Sequence, residues 1–366
     1  MKLAIEKQKN APPNHQVRIP KNNNLDLLRF SFAFVVFLVH AYHLSDSASL
    51  SIFNTIFSAK MAVECFFVVS GFLIFMSYEH SSSLNRYFEK RARRIYPAYF
   101  SVVVICALFG SLLSTYSYSE YFFSSEFYRY LIANLVFLNF IQPSLPGVFS
   151  ENSLAAVNGA LWTLKIEVMF YLSVPVFVWL FRRIGLWQGL TFLYLTSFIY
   201  SFCMQLLIDQ HGGIFVEIQR QLPGQLMFFI AGGALYYSFN FFQKNATPLL
   251  ILAIAAYFVE SFFETGLLYA ASLGIFVVYF GFVFKYLGNF GKYGDFSYGI
   301  YILHFPILQT FISYQYFASY PYLAMISSVI AVMLTAYFMW HGVEKKMLNK
   351  SSHYLMSLDE PRNKYG

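Results

Sequence analysis

Residues 25–43 read LDLLRFSFAFVVFLVHAYH. The stretch is apolar enough to cross a bilayer, yet it carries Asp26, Arg29, His40 and His43. Ionisable side chains at membrane depth are expensive to bury, so each is a candidate for function. Arg29 and His40 stand eleven positions apart. At roughly 3.6 residues per turn this is about three turns, so both fall on nearly one helix face, roughly 16 Å apart along the axis. Asp26 is one turn before Arg29, a spacing at which the two can pair. His43 is one turn beyond His40. No acid or cysteine accompanies that His-x-x-His pair at ligand spacing, so no metal site is expected.

The rest of the chain shares this character. Of 366 residues, 58% are hydrophobic and 12% charged, with a mean hydropathy of +0.52. A soluble domain is nearer half apolar and a quarter charged, so lipid must be the solvent for most of the chain. Apolar stretches long enough to span lie near 25–44, 60–78, 95–113, 160–181, 187–208, 223–239, 248–264, 266–284, 295–313 and 321–341. The expected fold is therefore all-α: a polytopic membrane protein with about ten transmembrane helices. Residues 1–24 form a cytoplasmic N-terminal arm, 25–341 the membrane domain and 342–366 a cytoplasmic C-terminal tail. The arm is polar, so no cleavable signal peptide is expected, and the first helix serves as its own insertion signal.

A further apolar stretch, 128–142, is short for a span. Charge decides how to treat it. If it crosses, Arg182 and Arg183 fall outside. If it is re-entrant or interfacial, 20 of the 25 Lys and Arg fall inside: Lys2, Lys7, Lys9, Arg18, Lys21, Arg86, Lys90, Arg91, Arg93, Arg94, Arg182, Arg183, Lys244, Lys285, Lys292, Lys345, Lys346, Lys350, Arg362 and Lys364. The excess of Lys and Arg on cytoplasmic loops selects the second arrangement. The net charge of +7 thus reports topology, and nothing in the chain resembles a nucleic-acid module. Cys65, Cys106 and Cys203 each fall in an apolar run, without a zinc or disulfide spacing, and read as buried packing residues. No internal repeat is visible, which weakens a transporter reading.

Other polar groups at membrane depth extend the list of candidates. Glu64 lies in the outer part of the second helix, where Ser70 and Gly71 permit close helix contact. The segment from Glu79 to Arg94 ends in a dense basic cluster. It reads either as topology charge or as a site for an anionic cytoplasmic ligand, since Arg pairs bidentately with phosphate. Trp162, Lys165 and Glu167 open the fourth span, with Trp162 at the interfacial belt and Glu167 about two turns inside. Ser297, Tyr301 and His304 follow i, i+4, i+7 spacing and share a face. That stripe is either a structural hydrogen-bonded seam or the wall of a cavity. Arg29, Arg91, Arg93 and Arg94 thus lie toward the cytoplasm, and His40, Glu64 and Glu167 toward the outside.

Taken together these strings resemble acyltransferase family 3, the integral-membrane acyltransferases that include bacterial polysaccharide O-acetyltransferases. An LDGLR-like start with a histidine eleven positions after its arginine matches Leu25 to Arg29 and His40, with Leu27 for glycine. A GVDLFFVISGFLI-like string matches Ala62 to Ile74, with Glu64 for aspartate. Arg91, Arg94, Ile95 and Pro97 fit an Arg-x-x-Arg followed by Ile-x-Pro. Trp162, Leu164, Glu167, Phe170 and Tyr171 fit a W-S-L-x-x-E-x-x-F-Y-like string, with Thr163 for serine. Ser297 to Tyr301, His304 and Pro306 fit a SYGIYLLHxP-like string. An I-E-K/R-P-like string is met only by Val343, Glu344 and Lys345, since Lys346 replaces proline.

The resemblance implies a cytoplasmic acyl-CoA donor, acetyl-CoA being the expected one, and no permanently bound cofactor. It implies an acceptor hydroxyl on a glycan or glycolipid reached from the outer side of a bacterial inner membrane. The stand-alone type, without a C-terminal esterase-like domain, is expected. On this reading His40 and Glu167 are the catalytic pair, and Arg29, Arg91 and Arg94 hold the donor's phosphates. Asp26, Glu64, Trp162, Ser297, Tyr301 and His304 are further site candidates. A succinyl or other acyl transferase, and a transporter or flippase without acyl-CoA chemistry, are the alternatives.

Overall fold

A computed structural model describes residues 19–348. The outer parts of the arm and tail, with Lys2, Lys7, Lys9, Arg18, Lys350, Arg362 and Lys364, lie outside the described residues. All regular structure among the described residues is helical. The principal helices are α1 Leu25–Ser45, α2 Ala59–Glu79, α3 Leu84–Leu113, α4 Ser125–Leu135, α5 Trp162–Ile184 and α6 Leu186–His211. They continue with α7 Leu222–Tyr237, α8 Ala246–Phe263, α9 Tyr269–Phe282, α10 Ser297–Ser313 and α11 Pro321–Met339.

Among the described residues, seven helical segments are long and apolar enough to cross a membrane, namely those containing α1, α2, α3, α5, α6, α8 and α11. The other three expected spans are also helices but shorter: α7 has 16 residues, α9 has 14 and α10 has 17. The lipid environment explains α6 and α8. Only 11% and 17% of their apolar windows are buried within the protein, and Phe192, Ile199, Phe202, Phe258 and Phe262 point outward. In water these would form a large exposed apolar face; in lipid they are solvated. Of the three cysteines expected to be buried, Cys65 is buried and Cys106 partly so, but Cys203 is exposed, because it stands on the lipid-facing helix α6.

The basic segment differs from the expected loop. Only a short link separates α2 from α3, and α3 is continuous over 30 residues from Leu84. Arg91, Arg93 and Arg94 therefore stand on a rigid helix. The stretch 128–142 does not run through as one helix. The 11 residues of α4 are about 16 Å long, roughly half of a hydrocarbon core. The chain then doubles back, and the Asn134 side chain donates to the Gln142 carbonyl at 2.9 Å.

The chain divides into two compact units. One comprises the segment ending at Leu25 together with Glu64–Tyr87 and Ile166–Gly288. Here α2 and α7 touch backbone to backbone. A Cβ on Gly71 would lie 1.9 Å from the Phe229 carbonyl oxygen, and one on Gly232 would lie 2.0 Å from that of Val68. Phe229 stacks on Phe170 with ring centroids 4.2 Å apart. Buried Asn24 donates to the carbonyls of Phe280 and Lys285 within this unit.

The other unit comprises Asp26–Val63, Phe88–Lys165 and the chain from Asn289 onward. Tyr99 on α3 donates to the Asn134 carbonyl at 2.6 Å, and Tyr298 on α10 donates to the Ile95 carbonyl at 3.0 Å. Proline at 306 removes the N–H that would bond the Ile302 carbonyl within α10. Asn158 supplies the missing donor at 2.8 Å. Gln309 binds the carbonyl of Ala156 at 2.9 Å, so the segment before α5 is laced to α10.

Candidate functional site

Helices α1 and α10 meet at two levels, both within one unit. At the first, Arg29 donates to Asp295 at 2.6 Å. Asp295 also takes a hydrogen bond from Arg94, and Arg94 reaches Glu344 at 3.4 Å. Both carboxylates are buried, with side chains 2% exposed, while those of Arg29 and Arg94 keep 18% and 15%. The other oxygen of Asp295 accepts from the Ser297 backbone N–H at 3.2 Å and from the Ser297 hydroxyl. Its hydrogen-bonding capacity is thus used from both sides, which holds the two guanidinium groups in place.

Two sequence features build this cluster. Gly294 adopts φ +133°, and a Cβ there would lie 2.2 Å from the Trp340 indole nitrogen. Glycine is therefore needed both for the turn into α10 and for the closeness of Trp340. Beyond α11 the chain makes a π-helical turn over Trp340–Glu344, and both end residues of that turn are buried. The Arg94 guanidinium lies 5.9 Å from the Tyr298 ring centre and 6.0 Å from that of Trp340, within cation–π range.

At the second level, His40 Nδ1 lies 2.8 Å from His304 Nε2. His304 is fully buried, packed by Phe37, Tyr301 and Phe305, and its Nδ1 lies 3.2 Å from the Ile300 carbonyl. His40 is partly exposed and meets the Phe305 ring edge-on at 5.7 Å. Gly159 leaves room for that ring, since a Cβ there would come within 2.6 Å of it. One turn before His304, Tyr301 meets the Thr163 hydroxyl at 2.7 Å. Thr163 also donates to the Ala160 carbonyl at 3.1 Å, so Tyr301 is the donor of the pair.

Ser297, Tyr301 and His304, the expected polar stripe, stand on α10, and each has its own partner. Arg29 and Arg94 come together on one carboxylate. Arg91 is partly buried one turn before Arg94, and Asp26 and Trp162 are partly buried on the first turns of α1 and α5. Glu64 and Glu167 lie in the unit that contains α7. Glu167 accepts from Ser70 at 3.3 Å and from Tyr171, and buried Glu64 accepts from Tyr269 at 2.9 Å. Ser70, expected as a small packing residue, thus also serves as a donor.

Asp295 and Glu344 were not expected as site residues. Asp295 is 266 positions from Arg29, whereas helical spacing draws attention to Asp26. One signal was present: an aspartate two residues before the serine that opens a helix, the spacing of an Asx-turn. Glu344 belonged to the string that lacks its proline.

The chain belongs to acyltransferase family 3, whose acyltransferase domain matches residues 22–341. It is 30% identical over 348 residues, 93% of this chain and 99% of the relative, to an O-acetyl transferase of Shigella phage Sf6. It is 33% identical over 180 residues, 47% of this chain and 48% of the relative, to Nodulation protein 10 of Rhizobium leguminosarum bv. viciae. It is 25% identical over 193 residues, 47% of this chain and 42% of the relative, to Acyltransferase MdmB of Streptomyces mycarofaciens. No solved structure matches the chain. The protein is accordingly a multi-pass membrane O-acyltransferase.

Proposed function

We propose that this enzyme moves an acetyl group from cytoplasmic acetyl-CoA to a hydroxyl of a periplasmic or lipid-linked glycan. The observation that carries the reading is the two-level junction of α1 and α10, with cations at one level and a partly exposed imidazole at the other. His40 Nε2 accepts the proton of the acceptor hydroxyl as its oxygen attacks the thioester carbon. The C–S bond breaks, the CoA sulfur leaves with the electron pair, and His40 returns the proton to it. Arg29, Arg91 and Arg94 hold the donor's phosphates on the cytoplasmic side. Glu167, with Ser70 and Tyr171 fixing its carboxylate, is the second catalytic candidate.

The topology proposed with this function has ten spans in a bacterial inner membrane, both termini cytoplasmic. A parity argument supports it. The Arg29–Asp295 and His40–His304 contacts require α1 and α10 to run in the same direction. Seven principal helices other than α4 lie between them in the chain. If all seven cross, the directions agree; if α4 crossed as well, they would oppose. A reporter fused near Asn152 should be periplasmic, and a cytoplasmic reporter there would overturn the arrangement.

The function is tested with purified His40→Ala protein, measuring glycan acetylation and CoA affinity together. Acetylation should be lost with CoA affinity kept. Near-normal acetylation would sink the general-base role, and lost CoA affinity would move His40 into the donor site. Mass analysis of the product identifies the acyl group, and a succinylated product would replace acetyl with succinyl.

A further inference from the structure

We infer that His304 is a positioning residue that holds His40 in one tautomer, with the proton on Nδ1 and the lone pair on Nε2. The inference rests on the reading of His40 as the base.

The assignment follows from hydrogen-bond bookkeeping. A carbonyl oxygen can only accept, so the 3.2 Å contact to Ile300 puts a proton on His304 Nδ1. In a neutral imidazole the other nitrogen is then an acceptor. His304 Nε2 therefore accepts at 2.8 Å from His40 Nδ1–H. That leaves the lone pair of His40 on Nε2, which makes no hydrogen bond among the described residues. Without such a partner, a free imidazole exchanges between tautomers, and the fraction with Nε2 protonated cannot act as base at that atom. A carboxylate is the common orienting partner for a catalytic imidazole, and a ring acceptor with its own proton fixed does the same work without adding a charge.

The surroundings of His304 suit orientation better than reaction. Its ring is fully buried, while His40 is partly exposed. Phe37, Tyr301 and Phe305 enclose it. The backbone that carries its acceptor contact is itself braced, because Asn158 satisfies the carbonyl freed by Pro306. His304 touches neither acceptor nor donor in this scheme; it acts through His40.

The test is nitrogen NMR of 15N-histidine-labelled enzyme in lipid nanodiscs, with His40→Ala identifying the His40 signals. The wild-type spectrum should show His40 protonated on Nδ1. His304→Leu removes the acceptor and should move most of His40 to the Nε2-protonated form. Turnover should fall on the order of 10²-fold or more, as when a catalytic imidazole loses its orienting partner, while the KM for acetyl-CoA stays put. His304→Gln offers a side-chain oxygen in place of Nε2 and should restore the tautomer and most of the turnover. A wild-type His40 protonated on Nε2 overturns the inference, whether or not any variant folds. So does a His304→Leu enzyme with normal turnover. If His40→Ala retains acetylation, the base reading fails instead, and the two failures are thereby separate.

Discussion

The two junctions of α1 with α10 are chemically opposite. At one, two guanidinium groups share a buried carboxylate, and a second buried carboxylate stands behind them. At the other, two imidazoles meet with no acid in contact among the described residues. Charge compensation inside a low-dielectric region is strong, and removing one partner strands the others. A neutral ring pair is weaker but leaves one nitrogen chemically available. On the proposed function the comparison teaches a division of labour along one helix pair: the ionic level would fix geometry and attract an anionic donor, and the imidazole level would move a proton.

The sharpest way to break this division is at the imidazole level. His40→Ala should cut turnover about 10²–10⁴-fold, the usual range for a lost general base, with little change in melting temperature. A variant that instead melted early with residual turnover unchanged would assign stability, not chemistry, to this level.

The ionic level should answer in the opposite way. Asp295→Ala leaves Arg29 and Arg94 without their shared partner, at a cost of about 3–5 kcal/mol. Thermal unfolding in a fixed detergent should show a large drop, and CoA affinity should fall with it because the guanidinium groups lose their positions. An unchanged melting curve would show that the cluster does not bear on stability.

Donor binding separates the arginines from one another. Arg94 bridges Asp295 and Glu344 with different nitrogens, so Arg94→Ala takes the ion pair from buried Glu344, leaves Asp295 with Arg29 as its cation, and mixes folding with binding. Arg94→Lys keeps the charge but lacks the planar fork, and should recover only part of both properties. Arg91→Ala is the cleaner probe of the donor. It should weaken CoA binding by about 1.5–3 kcal/mol, the worth of a hydrogen bond to a charged group, with insertion intact. Unchanged affinity would reduce Arg91 to a topology charge.

How much of this was legible in the sequence follows from range. The helices, the Arg29–His40 face and the Ser297–Tyr301–His304 stripe all arise from spacing within one helix, which periodicity reports. The continuity of α3 through its basic residues was missed because Lys and Arg depress hydropathy while being good helix formers. Asp295 and Glu344 were missed because their partners lie far away in the chain. No local rule prefers Asp295 over Asp26 as the acid beside Arg29; only the fold brings residue 295 to residue 29. Glu344 stands at the end of a π-helical turn, a departure from regular helix that apolar periodicity does not reveal.

The smallest expected effect lies between the two levels. Tyr301 stands one turn from His304 on the same face, and its hydroxyl is held by Thr163 at 2.7 Å. Both residues are buried. Thr163→Val keeps the shape at that position but removes the acceptor, leaving the Tyr301 hydroxyl without this partner. The cost of an unsatisfied buried hydroxyl is about 1–3 kcal/mol, less if Tyr301 turns toward another acceptor. Melting temperature should fall slightly. Turnover should fall by less than in His304→Leu, because the His40–His304 contact does not pass through Thr163. Thr163→Ser keeps the hydroxyl and should behave almost as wild type. If Thr163→Val instead matched the turnover loss of His304→Leu while the His40 tautomer stayed on Nδ1, then Tyr301 would itself be placing substrate, and the imidazole level would extend one turn further along α10.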